Sequence, residues 1–285
     1  MALPPPSRPR FPVQLDTLVA TKKIAARAGN SGAGGLKGLK NTAFSGGFGS
    51  LGAFVPIKSS GPLAPPEFHS VRLRMVQRLV AQGCTNARVL AAMGSVARHA
   101  FVDSALAFQA YEDTSLPIGW GQTISKPNVV ARMLELLLGN SAQIEGRVLE
   151  IGTGCGYQAA LLAHIYSHVT SMERVAGLYA RAGENLRCLP GLPQGHQLNL
   201  LHADGMAGHI PSAPYTAIIA AAGGFSIPPA WTDQLAIGGR LVAPLAAAGR
   251  NLSLQTLVVI DKTPHGLHKT LLEPVHFVPL KSGLE

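Results

Sequence analysis

At 285 residues, 47 % of them apolar, the chain is long enough to bury a full core and to carry an appendage beside one large domain. Its formal charge of +9 invites a nucleic-acid partner, but residues 1–66 hold eight basic residues and one acid, whereas residues 67–285 hold 16 basic and 14 acidic residues. A nearly neutral body argues against a groove that tracks a phosphate backbone, and no run approaches the ~20 apolar residues that span a bilayer, so neither nucleic acid nor membrane is an expected partner.

Residues 1–66 differ in kind from the rest. They contain nine of the 21 prolines and ten of the 32 glycines, with runs such as Pro4-Pro5-Pro6 and Gly32-Ala33-Gly34-Gly35. Too little apolar periodicity remains to offset chain entropy, so this leader is expected to be mostly disordered, with a single folded domain over 67–285. Leu15–Ala25 has the pattern of a short amphipathic helix, and the acid-poor, basic composition also resembles an organellar transit peptide. No secretory pattern is present, and the three cysteines, Cys84, Cys155 and Cys188, fit no metal-ligand spacing. An unpaired count suggests reduced thiols, and the expected location is cytoplasmic, the expected state a monomer.

From Phe68 the texture becomes helical. Val71, Met75, Val76, Leu79 and Val80 recur at helical spacing, with Gly83 as a stop, and a second helix starts at Asn86. His99, in the connecting stretch, reads as a partly buried hydrogen-bonding residue. Leu116–Pro127 is rich in Gly and Pro yet carries Gln122, Thr123 and Ser125, then gives way to a helix over Val129–Leu138. Pro127 suits that helix's first turn and Ser125 its cap, which the residues alone favour over a catalytic role.

The densest signal is Arg147–Gln158, RVLEIGTGCGYQ. A short apolar run stops at Gly152, Gly154 and Gly156 and restarts as a helix, so that a ligand approaches bare backbone at a helix N-terminus. Glu150, just before the first glycine, suits a positively charged ligand better than a pyrophosphate; S-adenosylmethionine is such a ligand. Cys155 reads as a small packing residue inside the turn. One strand on, Ser167–Met172 ends at Glu173, placed to take both hydroxyls of a ribose. A third apolar run ends at Asp204-Gly205, within reach of an adenine amino group. These strand ends together define a nucleoside pocket.

Tyr111-Glu112-Asp113, LPIGWGQTISKP, VLEIGTGCGYQ, Glu173, Asp204-Gly205, QLAIGGRLVAPL and Val275–Leu280 resemble the protein-L-isoaspartate O-methyltransferase family over about residues 68–283. The resemblance implies methyl transfer from S-adenosylmethionine to the α-carboxylate of L-isoaspartyl residues in damaged proteins and peptides, after which the ester collapses to a succinimide. It also implies that Ser125 is the active-site serine, with Thr123 and Ile124 positioning substrate from the same loop. A carboxylate is ionised near neutral pH, so no general base is needed, and holding the reactants in line is the main task. Some positions depart from the family pattern. Lys126 stands where bacterial members usually have Gln, Asn128 where an aromatic or His is usual, and Thr216 where Asp is usual. Ala220–Gly224 is also blander than the usual segment.

The expected fold is α/β: a Rossmann-like methyltransferase with a mainly parallel seven-strand sheet, helices on both faces and an N-terminal helical cap. The strand–helix rhythm from Val148 to Ile219 supports the parallel part; the antiparallel end, around 239–245 and 254–261, follows from the resemblance. Two alternatives to isoaspartyl repair are a divergent methyltransferase acting on another carboxylate or a small molecule, and a binding paralogue without activity.

Overall fold

The computed structural model describes residues 66–139, 146–189, 191–247 and 254–285. The leader, including the Leu15–Ala25 segment, lies outside the described residues.

Helix α1 (Pro66–Ala81) turns Met75 and Leu79 inward, and Gly83, at φ 99°, takes the left-handed turn beyond it. Helix α2 (Ala87–Ser95) starts at Asn86, whose side-chain oxygen accepts the N–H groups of Arg88 and Val89 at 3.0 and 3.3 Å. Two 3-10 turns follow, Arg98–Phe101 and Ser104–Tyr111. The Gly/Pro-rich stretch is then a short hairpin, β1 (Leu116–Gly119) and β2 (Gln122–Ile124), rather than a loop. Its turn requires φ of 90°, 50° and 67° at Gly119, Trp120 and Gly121, which explains the two glycines. Helix α3 (Pro127–Leu138) begins with Pro127 in its first turn, and its N-cap is Lys126 with no side-chain cap bond. Ser125 stands one residue outside that position, so the expected cap is not made.

The remaining elements are β3 (Arg147–Ile151), α4 (Tyr157–Ile165), β4 (His168–Glu173), α5 (Ala176–Arg187), β5 (Gln197–His202), β6 (Tyr215–Ala220), α6 (Pro229–Gln234), β7 (Leu235–Ala246), β8 (Gln255–Thr263) and β9 (Gly266–Val275). Seven strands form one sheet in the order β5-β4-β3-β6-β7-β8-β9, parallel from β5 through β7 and antiparallel at β8 and β9. The chain runs outward from β3 through β4 to β5, then crosses back to β6 on the other side of β3. The strand order therefore reverses at the end of β3, which opens a crevice at the carboxyl ends of β3 and β6.

Strand alternation divides the core. Val148, Ala217, Ile219, Val242, Leu257 and Val259 face a cluster that includes residues of α1 to α5. Their neighbours Leu149, Ile151, Ile218, Ala220, Leu241, Val258 and Ile260 face a second cluster with Trp231 of α6. Both faces are thus covered, and the inner strands read as continuous apolar runs. Among the described residues no helix is long and apolar enough to cross a membrane.

Candidate functional site

The glycine turn follows β3 directly. Gly152, Gly154 and Gly156 have φ of 86°, 58° and 92°, a conformation that a side chain resists, and Gly156 is the left-handed N-cap of α4. Gly152 and Thr153 donate to Met172 O at 2.9 and 3.2 Å, tying the turn to the end of β4. A Cβ on Gly154 would come within 3.2 Å of Ile118 Cδ1 on the hairpin.

Glu173 lies across this turn. It is only 5 % exposed, and its two oxygens accept the N–H groups of Gly154, at 2.8 Å, and Val175, at 3.0 Å. Each oxygen keeps a lone pair for a further donor, as a ribose diol would supply. The cleft beside it is walled by the glycine turn, Glu173, Gly205, residues Gln122 to Ser125 of the hairpin arm, and Val278–Lys281. That last segment is held over the cleft by Gly223, whose N–H donates to Val278 O and whose carbonyl accepts from Leu280 N, both at 2.9 Å.

Two expected ligand residues stand outside the cleft wall. Glu150 is fully buried behind the turn, accepting the Ser171 hydroxyl, which in turn is 2.6 Å from Thr153 Oγ1. Since Ser171 gives its proton to Glu150, Thr153 donates to Ser171, and Thr153 is the member of this chain that reaches the cleft. Burial pushes the Glu150 carboxyl up to about 8, opposed by the hydrogen bond from Ser171 and assisted by the nearby Glu173. Asp204 caps the 3-10 turn Gly205–Ala207: Oδ1 accepts Met206 N at 2.9 Å, and Oδ2 accepts Gly283 N at 2.7 Å. Its neighbour Gly205 does line the cleft, where a Cβ would meet Ile151 Cγ2 at 2.5 Å.

Ser125 lies where this cleft meets a second cavity of about 280 Å³; Thr123, Ala221 and Val278 also border both. Ile124 is buried at 5 % exposure and borders the first only. Among the described residues the Ser125 hydroxyl makes no hydrogen bond, whereas its carbonyl accepts one from Arg98 Nη2 at 2.6 Å. Arg98 is fully buried, donates Nε to Ala110 O at 2.6 Å, and stacks its guanidinium 4.8 Å from the Tyr157 ring. Burial pushes its pKa down, although the Tyr157 and Cys155 groups oppose the shift. Sequence reasoning passed over this residue. Its signal was a lone cation inside an apolar stretch, between Val96 and Phe101-Val102.

The structural readings of His99 and Cys155 hold. His99 Nδ1 is 2.6 Å from the Tyr111 hydroxyl and its ring stacks on Phe68 at 4.1 Å. The Cys155 thiol is buried and pushed up to about 11 by that burial, so it is no ready nucleophile. Thr216 sits at the opposite end of the sheet, where its hydroxyl donates to Arg147 O at 3.0 Å. It is outside the cleft wall, so its departure from the family pattern does not touch the ligand side.

Residues 71–285 match the family model described as protein-L-isoaspartate(D-aspartate) O-methyltransferase. A protein-L-isoaspartate O-methyltransferase of Methylibium petroleiphilum is 50 % identical over 283 residues, covering 97 % of each chain. The one from Leptothrix cholodnii is 59 % identical over 215 residues, 74 % of each chain. Among solved structures, a protein-L-isoaspartate O-methyltransferase from Plasmodium falciparum, in complex with S-adenosyl-L-homocysteine, superposes with a TM-score of 0.64 at 26 % identity, over 73 % of this chain and 97 % of that one.

Proposed function

The chain belongs to the protein-L-isoaspartate(D-aspartate) O-methyltransferase family, and from this premise we propose how its own residues divide the work. It is an S-adenosylmethionine-dependent enzyme that methylates isoaspartyl residues in proteins, the opening step of their repair. The methyl donor, when bound, supplies an activated methyl group on a sulfonium. The residues present fit it: backbone N–H groups of a left-handed glycine turn, a helix N-terminus, and a buried carboxylate with spare lone pairs.

In this reading Gly152, Gly154 and Gly156 let the donor approach the backbone, and Glu173 accepts its ribose hydroxyls. Gly205 leaves room for the base, and Asp204, through the lone pairs its backbone partners leave over, accepts from the adenine amino group. Glu150 acts from behind the turn, fixing Thr153 in place through Ser171. Ser125, with Thr123 and Ile124 of the same arm, holds the isoaspartyl carboxylate by its free hydroxyl. Arg98 anchors that arm through the Ser125 carbonyl and so sets the hydroxyl's position. No general base is required, since the carboxylate arrives ionised. Orientation is then the principal contribution, up to ~7–11 kcal/mol in favourable cases.

The observation that carries this reading is the junction at Ser125 of a donor-type cleft with a second cavity. The enzyme is proposed to work on isoaspartyl proteins and peptides as a cytoplasmic monomer without nucleic-acid or membrane partners. Transfer of a labelled methyl group to a peptide with one isoaspartate, compared with its normal-aspartate twin, tests the activity. Labelling of the isoaspartyl peptide alone is expected; equal labelling, or labelling of neither, overturns the assignment.

A further inference from the structure

The second cavity begins at Ser125 and continues between the start of α3 and the end of β9. Its charged walls are Lys126 and Arg132 from one side and Glu273 and His276 from the other. If Ser125 holds the isoaspartyl carboxylate, as proposed above, the residues flanking the isoaspartate must run through this space, so its charges are met by the substrate's side chains.

Those charges are not balanced. Arg132 Nε and Glu273 Oε1 lie 2.7 Å apart at 22 % and 18 % exposure, so each is committed to the other. Lys126 is exposed, and its ammonium forms no hydrogen bond or ion pair among the described residues; only its carbonyl is used, accepting the Val130 N–H at 3.1 Å. It also occupies the N-cap of α3, where a cation opposes the helix dipole, and no acid stands in the first turn to relieve it. The acid that does reach this helix end, Asp113, spends Oδ1 on the Asn128 N–H at 3.1 Å. An ammonium kept in an unfavourable place, beside the acceptor residue and unpaired, is complementary to an anion brought by the ligand. That anion is not the carboxylate being methylated: Lys126 borders the second cavity and not the donor cleft, whereas Ser125 borders both. A firm ion pair to the nucleophile would also quench it.

We infer that Lys126 is a specificity-determining residue that favours isoaspartyl sites flanked by Asp or Glu. An exposed pair of this kind is worth ~0.2–1 kcal/mol, which corresponds to a preference of about 1.4- to five-fold for an acidic over a neutral flank, and more over a basic one. The preference is electrostatic, so it should shrink toward unity in roughly 1 M salt.

The test is kcat/KM for a series of isoaspartyl peptides with Glu, Gln or Lys on either side of the isoaspartate, for the wild type, Lys126→Gln and Lys126→Glu, at low and high salt. Wild type should rank Glu above Gln above Lys, chiefly through KM. Lys126→Gln should flatten the ranking and Lys126→Glu should invert it. An unchanged Glu-to-Lys ratio in Lys126→Gln, an equal loss on every peptide, or a wild-type ranking indifferent to the flank overturns the inference while leaving isoaspartyl methylation intact. Failure of wild type to methylate any of the peptides would instead remove the family activity and this inference with it.

Discussion

At the scale of single residues, Ser125 separates two physical roles that its sequence context offered together. A Ser just ahead of a first-turn Pro is a natural helix cap, but Lys126 stands between Ser125 and Pro127 and takes the N-cap of α3, leaving the Ser125 hydroxyl unspent. Ser125→Ala should therefore cost little stability, less than the ~0.5–2 kcal/mol of a lost cap. Turnover on an isoaspartyl peptide should fall ~10²–10³-fold, as for a transition-state hydrogen-bond donor, with donor affinity close to wild type by calorimetry. Near-normal turnover in the folded variant would remove Ser125 from the reaction. Glu150 gives a prediction of a different kind. Its carboxyl titrates at about 8 in the folded protein against an ordinary 4.5, because it is buried. Between those values the native state keeps a proton that the unfolded chain has released, so Glu150 makes stability decline as pH rises through this window, by at most about 1.4 kcal/mol per unit. In Glu150→Gln that slope should disappear, so the variant should gain stability relative to wild type from pH 5 to pH 8 in denaturant titrations without donor. Parallel pH profiles would place the charged carboxylate in the folded state throughout.

Elements were legible where one periodicity ruled and hidden where it did not. The runs at Val148–Ile151 and Ile218–Ala220 are buried on both faces, so their apolar continuity announces inner parallel strands. β9 is an edge strand whose side chains are mostly exposed, so it shows no apolar alternation, and only its pairing with β8 defines it. β1 and β2 were hidden by the glycines that their tight turn requires. The site was legible for the same local reasons: the glycine turn and Glu173 are neighbours along a strand–turn–helix pattern. The Arg98 contacts and the hydrogen bond from Gly283 to Asp204 depend on contacts between distant segments, which spacing cannot express. The glycine turn and the hairpin also depend on each other. Gly154→Ala would impose a side chain at φ 58° and press it to 3.2 Å from Ile118 Cδ1. A loss of ~1–2 kcal/mol is expected from the backbone alone, together with at least tenfold weaker donor binding. Gly94→Ala, inside α2 with 3.8 Å to Val76 Cγ2, should instead gain ~0.4–1 kcal/mol. Thermal unfolding and donor titration of both variants check the contrast; an innocuous Gly154→Ala would mean that the turn relaxes freely.

For the whole molecule, the question is where the catalytic unit begins. Most of the net charge lies in residues 1–66, whose Gly/Pro-rich composition supplies little apolar surface to a core. Helix α1, by contrast, is part of the core: Met75 and Leu79 are buried, and Phe68 stacks on His99, which bonds Tyr111. Tyr111 closes the 3-10 turn that carries Ala110, and Ala110 and Ser125 share Arg98 through their carbonyls. The first helix is thereby linked to the arm that carries Ser125 through packed groups. A chain beginning at residue 64 should fold with nearly unchanged thermal stability and retain full methyl transfer, losing only its basic charge. A chain beginning at residue 83 removes Phe68, Met75 and Leu79 together. At ~2–5 kcal/mol for each large buried side chain deleted, that is as large as the whole stability of an ordinary domain, so the shorter chain should fail to fold. Comparison of the two truncations by circular dichroism and by label transfer decides the boundary. Loss of folding or activity in the chain that starts at 64 would mean that the leader belongs to the catalytic unit, and full activity in the chain that starts at 83 would mean that α1 does not.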